Sequence, residues 1–280
     1  MLKFGASLAH CFLQKIVPAY RFLRIQTHTR DRQHAHRTPL NRASITVLNW
    51  NIAKQNHHAH WLREFHTILH HYQPDLILLQ EVRMGREADH AVDLVDMSWT
   101  YAPNFMDAHH QAYSGVLTAA KTNSIHSQAI VTEHYEPIVQ TPKVSLVTEY
   151  PLSDSSETLL AINSHLINFV DLKTFHSQLQ DLEIVLATHP GPIVFAGDFN
   201  LWSTARSQLL DQAAARLSLF PVTFSPRDRQ NIKRFLWSPP LDYIFYRGLV
   251  AKPMRASVLN WTTSSDHKPL LAEFALSELQ

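Results

Sequence analysis

The sequence predicts an α/β fold built around one large body, and three observations support this prediction. Short segments rich in β-branched and aromatic residues recur along the chain, as buried strands require. Between them lie segments whose apolar residues repeat at the spacing of one helix face. The composition, 45% apolar and 18% charged over 280 residues, is that of an ordinary globular protein. We therefore expect one packed domain, because neither an internal repeat nor a second core is visible.

Charge is divided unevenly along this chain. Residues 1–43 carry eight Lys or Arg and one Asp, a net charge of +7, whereas the rest carries 17 basic and 23 acidic side chains, a net charge of −6. We interpret residues 1–43 as a basic arm or linker with an amphipathic stretch, and residues 44–280 as the functional domain. Such an arm suits an anionic partner, nucleic acid or lipid headgroups, and the alternative is a solubilising tail.

Cysteine usage and hydropathy restrict the compartment. Cys11 is the single cysteine, which excludes an internal disulfide framework and a cysteine-rich zinc site. No stretch of the sequence reaches the ~20 apolar residues that a membrane-spanning helix needs. We therefore expect a cytoplasmic protein, with attachment to a membrane surface through the basic arm as the second interpretation. We also expect a monomer.

Helices are predicted where apolar residues are spaced four, three and four apart. This pattern occurs over residues 56–72 and again over residues 171–188. Pro74 ends the first helix and Pro190 the second, because proline cannot continue a helix. A third helix is predicted over residues 204–217.

Strands are predicted from short apolar runs, whereas residues 84–113 read as polar and irregular with weak strand signals near Trp99 and Tyr101. A fully buried strand is apolar on both faces, so several of these runs show no alternation. The predicted strands cover residues 45–52, 76–79, 114–120, 143–150, 158–164, 193–195, 242–246 and 270–274, with a short strand near Val258.

Carboxylates, amides and imidazoles follow these strands at their ends. They stand after five strands, at Asn51, Glu81, His165, Asp198 with Asn200, and Asp266 with His267, while Asp242 begins a sixth strand. If these ends meet in one crevice, as the ligand sites of open α/β sheets do, the crevice is rich in oxygen ligands. Such ligands suit Mg²⁺ or Mn²⁺, and a cation would relieve the repulsion between crowded carboxylates.

The same residues form six motifs in a recognisable order: Trp50-Asn51, Gln80-Glu81, Ser164-His165, Gly197-Asp198-Phe199-Asn200, Asp242-Tyr243-Ile244-Phe245 and Ser265-Asp266-His267. In this order they resemble the endonuclease/exonuclease/phosphatase superfamily, and most of all a small bacterial branch of it. The resemblance spans residues 45–274. It implies the DNase I-like fold, a four-layered α/β sandwich of two packed mixed β-sheets flanked by helices. It also implies metal-dependent hydrolysis of a phosphate ester.

The resemblance implies a metal site as well. Glu81 would be the main ligand of Mg²⁺, or of Mn²⁺, with Asn51 beside it and Asp266 near the ion. DNA-repair members of the superfamily carry an aspartate two residues after the asparagine of the first motif, where this chain has Ala53. One ligand of a second metal is therefore missing, and the number of metals is left open.

The resemblance to the superfamily also implies catalytic roles for residues of this chain. Asp198 would orient and deprotonate the attacking water, and Asn200 would hold that water or the phosphate. His267 would donate a hydrogen bond to the phosphate oxygens, with Asp242 fixing the ring and raising its pKa. The other side of the phosphate would be contacted by His165 and Asn168.

The candidate site residues also have explanations that involve structure alone and no catalysis. Asn51 and Asp242 are also typical of strand-end turns, and His165 could be a satisfied core histidine. The basic loop before residue 242 is either a plain exposed loop or a set of phosphate contacts. Its cations are Arg227, Arg229, Lys233 and Arg234.

Three functions remain as hypotheses. The first is a Mg²⁺-dependent nuclease or phosphodiesterase acting on nucleic acid, although a net charge of −6 is unusual for a duplex-binding body. The second is a phospholipid-headgroup or inositol-phosphate phosphodiesterase or phosphatase at a membrane surface. The third is a non-catalytic binding module, which has no need of the water-activating Asp198. Whether cleavage is internal or from an end is left open.

Overall fold

The computed structural model describes residues 21–25, 28–33, 38–85, 92, 94, 96–137, 139–252 and 254–277. Two mixed β-sheets pack face to face with helices on their outer sides, which is the predicted DNase I-like sandwich. Four helices are described: α1 (Ala59–Tyr72), α2 (Leu172–Thr188), α3 (Thr204–Arg216) and the short α4 (Pro226–Arg229). Within the described part of the chain, no helix is long and apolar enough to cross a membrane.

Fifteen strands are described, and they divide into two sheets. They are β1 (Phe22–Leu23), β2 (Arg30–Arg32), β3 (Ile45–Asn51), β4 (Leu76–Gly85), β5 (Ser98–Asp107), β6 (Ala112–Ala120), β7 (His126–Val131), β8 (Val144–Pro151), β9 (Thr158–His165), β10 (Ile193–Asp198), β11 (Phe220–Pro221), β12 (Asp242–Arg247), β13 (Leu249–Ala251), β14 (Ser257–Val258) and β15 (Leu270–Leu276). The first sheet has the order β1-β5-β6-β4-β3-β15-β13, with β2 on β5 and β14 on β15. The second has the order β11-β12-β10-β9-β8-β7.

Capping interactions account for the observed helix ends. α2 begins after Asp171, whose carboxylate accepts the backbone N–H of Thr174 at 2.8 Å. α1 ends at Gln73, which adopts a left-handed backbone (φ 45°) directly before Pro74. The helix boundaries therefore lie within a few residues of those predicted from sequence.

Apolar side chains form three layers of core. The central layer lies between the sheets, where side chains such as Val47, Leu78 and Val194 belong to one buried cluster. A second cluster packs α1 on the first sheet through Trp61 and Phe65. A third packs α2 and α3 on the second sheet. Apolar burial thus holds each sheet on both faces.

Buried amides also join the two sheets close to their strand ends. The Gln80 side-chain nitrogen donates to Asn163 Oδ1 at 2.7 Å and to Asn49 Oδ1 at 2.9 Å. Asn163 Nδ2 in turn donates to the carbonyl of Leu117 at 2.9 Å. Because each bond needs a specific partner, this network fixes how one sheet sits on the other.

The interpretation of residues 84–113 as irregular is wrong for its second part. β5 is a ten-residue strand that pairs along β6, and nearly all its side chains are buried. Burial on both faces removes the alternation that identifies a strand, and Pro103 and Asn104 are poor strand formers. β7 was not predicted because it is an edge strand with a mixed polar sequence.

Two pieces of the predicted arm lie on the edge of the first sheet. β1 and β2 both pair antiparallel with β5. The Phe22 ring packs against Phe105 with centroids 5.6 Å apart, and Arg21 pairs with Asp107 at 3.3 Å. Residues 21–23 and 30–32 therefore contribute to the sheet, while residues 1–20 lie outside the described residues.

Candidate active site

Strand register brings three of the predicted residues side by side in the second sheet. Asp198 ends β10 and stands opposite His165 of parallel β9 and opposite Asp242 of antiparallel β12. The residue before it, Gly197, has φ 153°, and a Cβ built there would lie 1.8 Å from the Ser164 carbonyl oxygen. Only glycine allows β10 to approach β9 so closely.

His267 is held by a buried carboxylate. Its Nδ1 lies 2.8 Å from Asp242 Oδ2, and its Nε2 lies 3.8 Å from Asp198 Oδ2. Burial alone would lower the pKa of His267, but the charge and hydrogen bond of Asp242 raise that pKa to about 9, with help from Asp198 and Asp266. The ring is therefore a cation at neutral pH, and its Nε2–H is available as a donor.

Asp198 is buried yet carries several hydrogen bonds. Its Oδ1 accepts the backbone N–H of Asn200 at 3.0 Å, and its Oδ2 accepts Asn51 Nδ2 at 2.9 Å. Burial raises the pKa of Asp198 to about 6, an effect that the His267 cation partly offsets. A carboxylate with this pKa is mostly ionised at neutral pH and can take up a proton readily.

His165 differs from His267 although both rings approach the same oxygen. Its Nε2 also lies 3.8 Å from Asp198 Oδ2. Burial lowers the pKa of His165 well below its usual value, and the nearby Lys143 cation lowers it further. Asp198 therefore lies between one neutral and one charged imidazole, so the two rings are suited to different tasks.

Glu81 projects from a bulge in β4. The register with β6 shifts between Leu79 and Val82, and Glu81 itself adopts a left-handed backbone with φ 55°. Bulges and strained backbone of this kind re-aim side chains at functional sites. Asn51 Nδ2 lies 3.4 Å from Glu81 Oε1, so this amide links Glu81 of the first sheet with Asp198 of the second.

The donor set in this region fits a hard divalent cation. Asp198, Asp242 and His267 place one ligand atom each within 4.8 Å of one another, but a protonated His267 cannot ligate a metal. Glu81 and Asp266 both line the crevice with carboxylate oxygens, and Mg²⁺ is usually held by one or two carboxylates plus waters. Asn51 Oδ1 already accepts the Ala53 N–H at 3.0 Å, so its part in binding an ion stays a prediction.

A loop anchored to two elements carries Asp266 and His267. The Glu64 carboxylate of α1 accepts the backbone N–H of Thr263 at 2.7 Å and that of Ser264 at 3.1 Å. Ser265 Oγ donates to the Asn51 carbonyl at 2.8 Å. These bonds fix the loop against both α1 and β3, so the His267 ring is positioned before any substrate binds.

A crevice of about 630 Å³ opens over these groups. Nine predicted residues line it, namely Glu81, His165, Asn168, Asp198, Asn200, Lys233, Arg234, Asp266 and His267. Asn51 and Asp242 are buried and reach its lining residues through hydrogen bonds. The structure does not bring the other two predicted residues, Arg227 and Arg229, into the lining, because they lie on α4.

Sequence reasoning missed two lysines in the crevice. Lys54 Nζ lies 3.9 Å from Glu81 Oε2, and Lys143 Nζ lies 3.3 Å from Glu136 Oε1. Burial lowers the pKa of Lys54. Burial would also lower the pKa of Lys143, but the carboxylates around it, Glu136 first, raise it instead. Neither lysine belongs to a motif. Only position could have suggested a role, because Lys54 comes three residues after Asn51 and Lys143 comes directly before β8.

The apolar part of the crevice was missed as well. Much of its wall consists of large apolar side chains: Phe105, Val116, Val139, Val144, Phe169, Phe235, Leu236 and Leu241. They come from separate segments of the chain, so no local pattern in the sequence groups them. The crevice therefore pairs a charged centre with a surface suited to an apolar group.

Solved structures of similar fold are known. The human Nocturnin catalytic domain with bound sulfate anion superposes with a TM-score of 0.60 at 20% identity, covering 90% of this chain and 98% of that one. The D. rerio TDP2 structure complexed with single strand DNA product gives 0.58 at 16%, covering 82% and 98%. A mannosyl-6-phosphatase of Bacteroides thetaiotaomicron gives 0.58 at 14%, covering 83% and 100%. At these identities, the likeness shows a shared fold.

Bacterial relatives are nearer in sequence. A UPF0294 protein of Vibrio parahaemolyticus is 40% identical over 237 residues, which cover 84% of this chain and 79% of the relative. A UPF0294 protein of Klebsiella pneumoniae is 37% identical over 242 residues, covering 85% of each chain. The model of the Endonuclease/Exonuclease/phosphatase family matches residues 48–267, a range that contains all six strand-end motifs. With its fold, its motifs and these relatives in agreement, this chain belongs to the Endonuclease/Exonuclease/phosphatase family.

Proposed function

We propose that this protein is a Mg²⁺-dependent phosphodiesterase that cleaves a P–O bond by activating water. One observation carries the proposal: the Asp198 carboxylate lies within 4 Å of two imidazoles and is joined to Glu81 through the Asn51 amide. This arrangement combines a base, a cationic donor and a carboxylate for a metal in one crevice. A binding module would need no such combination.

Asp198 is the base in this proposal. Its pKa of about 6 lets it accept a proton from water near neutral pH while it remains mostly ionised. Asn51 and the backbone N–H of Asn200 hold the carboxylate in one orientation. A fixed carboxylate can direct a water at phosphorus, which lowers the entropic part of the barrier.

His267 and His165 contact the phosphate in this proposal. The Nε2–H of the charged His267 ring donates to a phosphate oxygen, and Asp242 keeps that ring charged and oriented. His165 remains neutral and serves as a hydrogen-bonding group on the other side of Asp198. The donor that carries charge stabilises the negative charge that develops on the phosphate during attack.

Glu81 and Asp266 are the residues that would hold Mg²⁺ or Mn²⁺, with Asn51 beside Glu81. When bound, the ion neutralises phosphate charge and lowers the pKa of water. Lys233 Nζ already contacts Asp266 Oδ2 at 2.5 Å, so this carboxylate is accessible to a cation in the crevice. Oxygen-only ligands of this kind favour hard ions over zinc.

Nucleic acid is the first proposed substrate class. Among the described residues, four lysine or arginine side chains line the crevice, namely Lys54, Lys143, Lys233 and Arg234, and together they offer positive charge to a strand phosphate. A similar fold, that of D. rerio TDP2, has been solved with a single strand DNA product. This comparison favours a single strand over a duplex, in agreement with the acidic charge of residues 44–280.

A phospholipid headgroup is the second proposed substrate class, because the crevice wall is largely apolar. Phe105, Phe169 and Phe235 line the same crevice as the catalytic groups. A substrate with an apolar group close to its phosphate would gain binding energy from such a wall. A polyanion without an apolar group would gain no binding energy from this wall.

Hydrolysis assays with a matched pair of variants test this function. Wild type is expected to hydrolyse bis(p-nitrophenyl) phosphate with Mg²⁺ and to lose activity with EDTA. Asp198→Asn is expected to lower kcat by about 10²–10⁴-fold. Asp181→Asn, on the exposed face of α2, is expected to change nothing. If wild type and Asp198→Asn were equally inert or equally active on this substrate, on DNA, on RNA and on phospholipid, the proposal would fail.

A further inference from the structure

The most exposed large apolar side chains beside the crevice lie together in one turn. Phe235, Leu236 and Trp237 expose 53%, 76% and 97% of their surfaces, and we name these three residues the apolar tip. Phe235 and Leu236 also line the crevice. Isolated surface apolar residues need no explanation, but three consecutive ones at a site mark an interaction surface.

Hydrogen bonds close the turn that carries the apolar tip. Arg234 Nη1 donates to the Ser238 carbonyl at 2.9 Å, and Ser238 Oγ accepts the Phe235 N–H at 2.9 Å. Leu236 adopts a left-handed backbone with φ 52°, which is unfavourable for a leucine. The turn therefore holds its apolar side chains outward although the described residues give them little burial.

Residues 169–172, which end at the first residue of α2, carry two further exposed apolar side chains. Phe169 and Leu172 expose 46% and 43% of their surfaces, and Phe169 has a left-handed backbone with φ 54°. Phe169 lines the crevice together with Phe235 and Leu236. Two segments that are distant in sequence thus bring exposed apolar groups to the crevice.

The segment that carries the apolar tip is basic. Residues 227–237 carry four Lys or Arg and one Asp. Arg227 and Arg229 are on α4, outside the crevice lining, and Lys173 is exposed next to Leu172 at the start of α2. Exposed apolar side chains within basic segments match a surface that is apolar within and anionic at its boundary.

The first described residues of the chain pack on a residue of the crevice wall. The Phe22 ring packs on Phe105, which lines the crevice, and Leu23 beside it is exposed. Residues 1–20 precede this point and carry Lys3 and Lys15, no acid and many apolar side chains. Twenty residues of basic, apolar sequence therefore lead into the chain next to the crevice.

We propose that the apolar tip, residues 169–172 and the cations of α4 dock this protein on an anionic phospholipid bilayer, with the crevice mouth facing the lipid. This rests on the proposed function and selects a phospholipid headgroup as its substrate. One observation favours lipid over a nucleic-acid strand, because the exposed rings of Phe169, Phe235 and Trp237 suit either partner. Lys233 and Lys143 contact Asp266 and Glu136, which reduces their attraction for a polyanion.

Vesicle sedimentation of the full chain tests the docking surface. The probes are vesicles of phosphatidylcholine with and without phosphatidylglycerol, at low and high salt. Wild type is expected to bind the anionic vesicles, and Leu236→Ser with Trp237→Ser is expected to weaken binding by about tenfold or more. Arg227→Gln with Arg229→Gln is expected to weaken binding at low salt only. Ile184→Ser, which removes an equally exposed apolar side chain from α2, is the matched control and is expected to bind as wild type.

Separate readouts distinguish this proposal from the proposed function. Trp237→Ser is expected to keep hydrolysis of soluble bis(p-nitrophenyl) phosphate while losing hydrolysis of vesicle phospholipid. Wild type that fails to bind anionic vesicles, or a double tip variant that binds them as wild type does, would overturn the docking surface. Tip variants that lose single-stranded DNA binding and keep vesicle binding would overturn it too. If wild type bound the vesicles but hydrolysed no phosphodiester, the proposed function would be contradicted and the docking surface would stand.

Discussion

The floor of the crevice consists of hydrogen-bonded polar residues, whereas its mouth consists of exposed apolar residues. We call Glu81, Asp198, Asp242 and His267 the floor, and Phe169 with the apolar tip the mouth. The floor residues come from strand ends, a bulge in β4 and an anchored loop, and hydrogen bonds fix them. The mouth residues lie on loops and expose their apolar surfaces. The contrast indicates that the floor sets the reaction, whereas the mouth selects the molecule that reaches it.

The largest effect is expected at the floor, from Asp242→Asn and His267→Asn. Removing the charged donor or its partner carboxylate should lower kcat on a soluble phosphodiester by about 10²–10³-fold, because developing charge loses its stabilisation. Steady-state kinetics with each variant checks this. The floor and mouth are independent if vesicle binding is unchanged in both variants, and a parallel loss of binding would contradict the division.

The next largest effect is expected for Gly197→Ala, which tests the close approach of β10 to β9. A Cβ there would lie 1.8 Å from the Ser164 carbonyl, so strands must separate. We expect unfolding free energy to fall by more than about 3 kcal/mol, measured by urea denaturation. Gly85→Ala is the matched control, because a Cβ at Gly85 meets nothing within 4 Å. Equal stability of the two variants would show that the floor is not built on this contact.

A smaller effect is expected for Glu64→Gln, which weakens the anchor of the loop bearing His267. Burial raises the pKa of Glu64, but the hydroxyl of Ser264 and the donors of Thr263 outweigh this and hold the pKa below its usual value of 4.5. The folded pKa lies below the unfolded one, so the stabilisation is present above pH 4.5 and is lost as pH falls through the folded pKa.

Urea denaturation of wild type and Glu64→Gln at several pH values measures this anchor. We expect a loss of about 1–3 kcal/mol at pH 7. The difference should shrink as the pH falls below 4.5. Glu183→Gln, which removes only a surface pair with Arg216, should cost less than about 1 kcal/mol. A Glu64→Gln effect that stays constant at all pH values would contradict the charged anchor.

The smallest effect on stability is expected at the mouth, for Phe169→Ala. Its side chain is half exposed, so the unfolding free energy should change by less than about 0.5 kcal/mol. The apparent KM for a phospholipid substrate should rise several-fold while kcat on a soluble phosphodiester stays the same. Kinetics on both substrates separates these two quantities. If KM were unchanged for every substrate, Phe169 would have no part in selecting the substrate.

The floor could be predicted from sequence because its residues follow buried strands at fixed places. Asp198, His165 and Asp242 stand in register because their strands pair, and a strand end is visible in an apolar run. The same runs indicated an α/β domain, and the sandwich followed from the family resemblance of the motifs. β5 was missed because a strand buried on both faces, with Pro103 inside it, lacks any alternation.

The mouth could not be predicted because its residues meet only in three dimensions. Phe169 and Phe235 lie 66 residues apart in the sequence, and no period relates them. Lys54 and Lys143 likewise reach the crevice from unrelated segments. Exposure decides whether Phe235, Leu236 and Trp237 form a core or a surface, and a sequence does not record exposure.

Transfer of oxygen from labelled water tests the central claim most directly. Wild type is incubated with Mg²⁺, a phosphodiester and water enriched in ¹⁸O, and mass spectrometry of the products locates the label. Water activation by Asp198 predicts ¹⁸O in the phosphate-bearing product, and about 10²–10⁴-fold less labelled product in the same time for Asp198→Asn. Label in the alcohol product, or equal labelling of phosphate by wild type and Asp198→Asn, would contradict it.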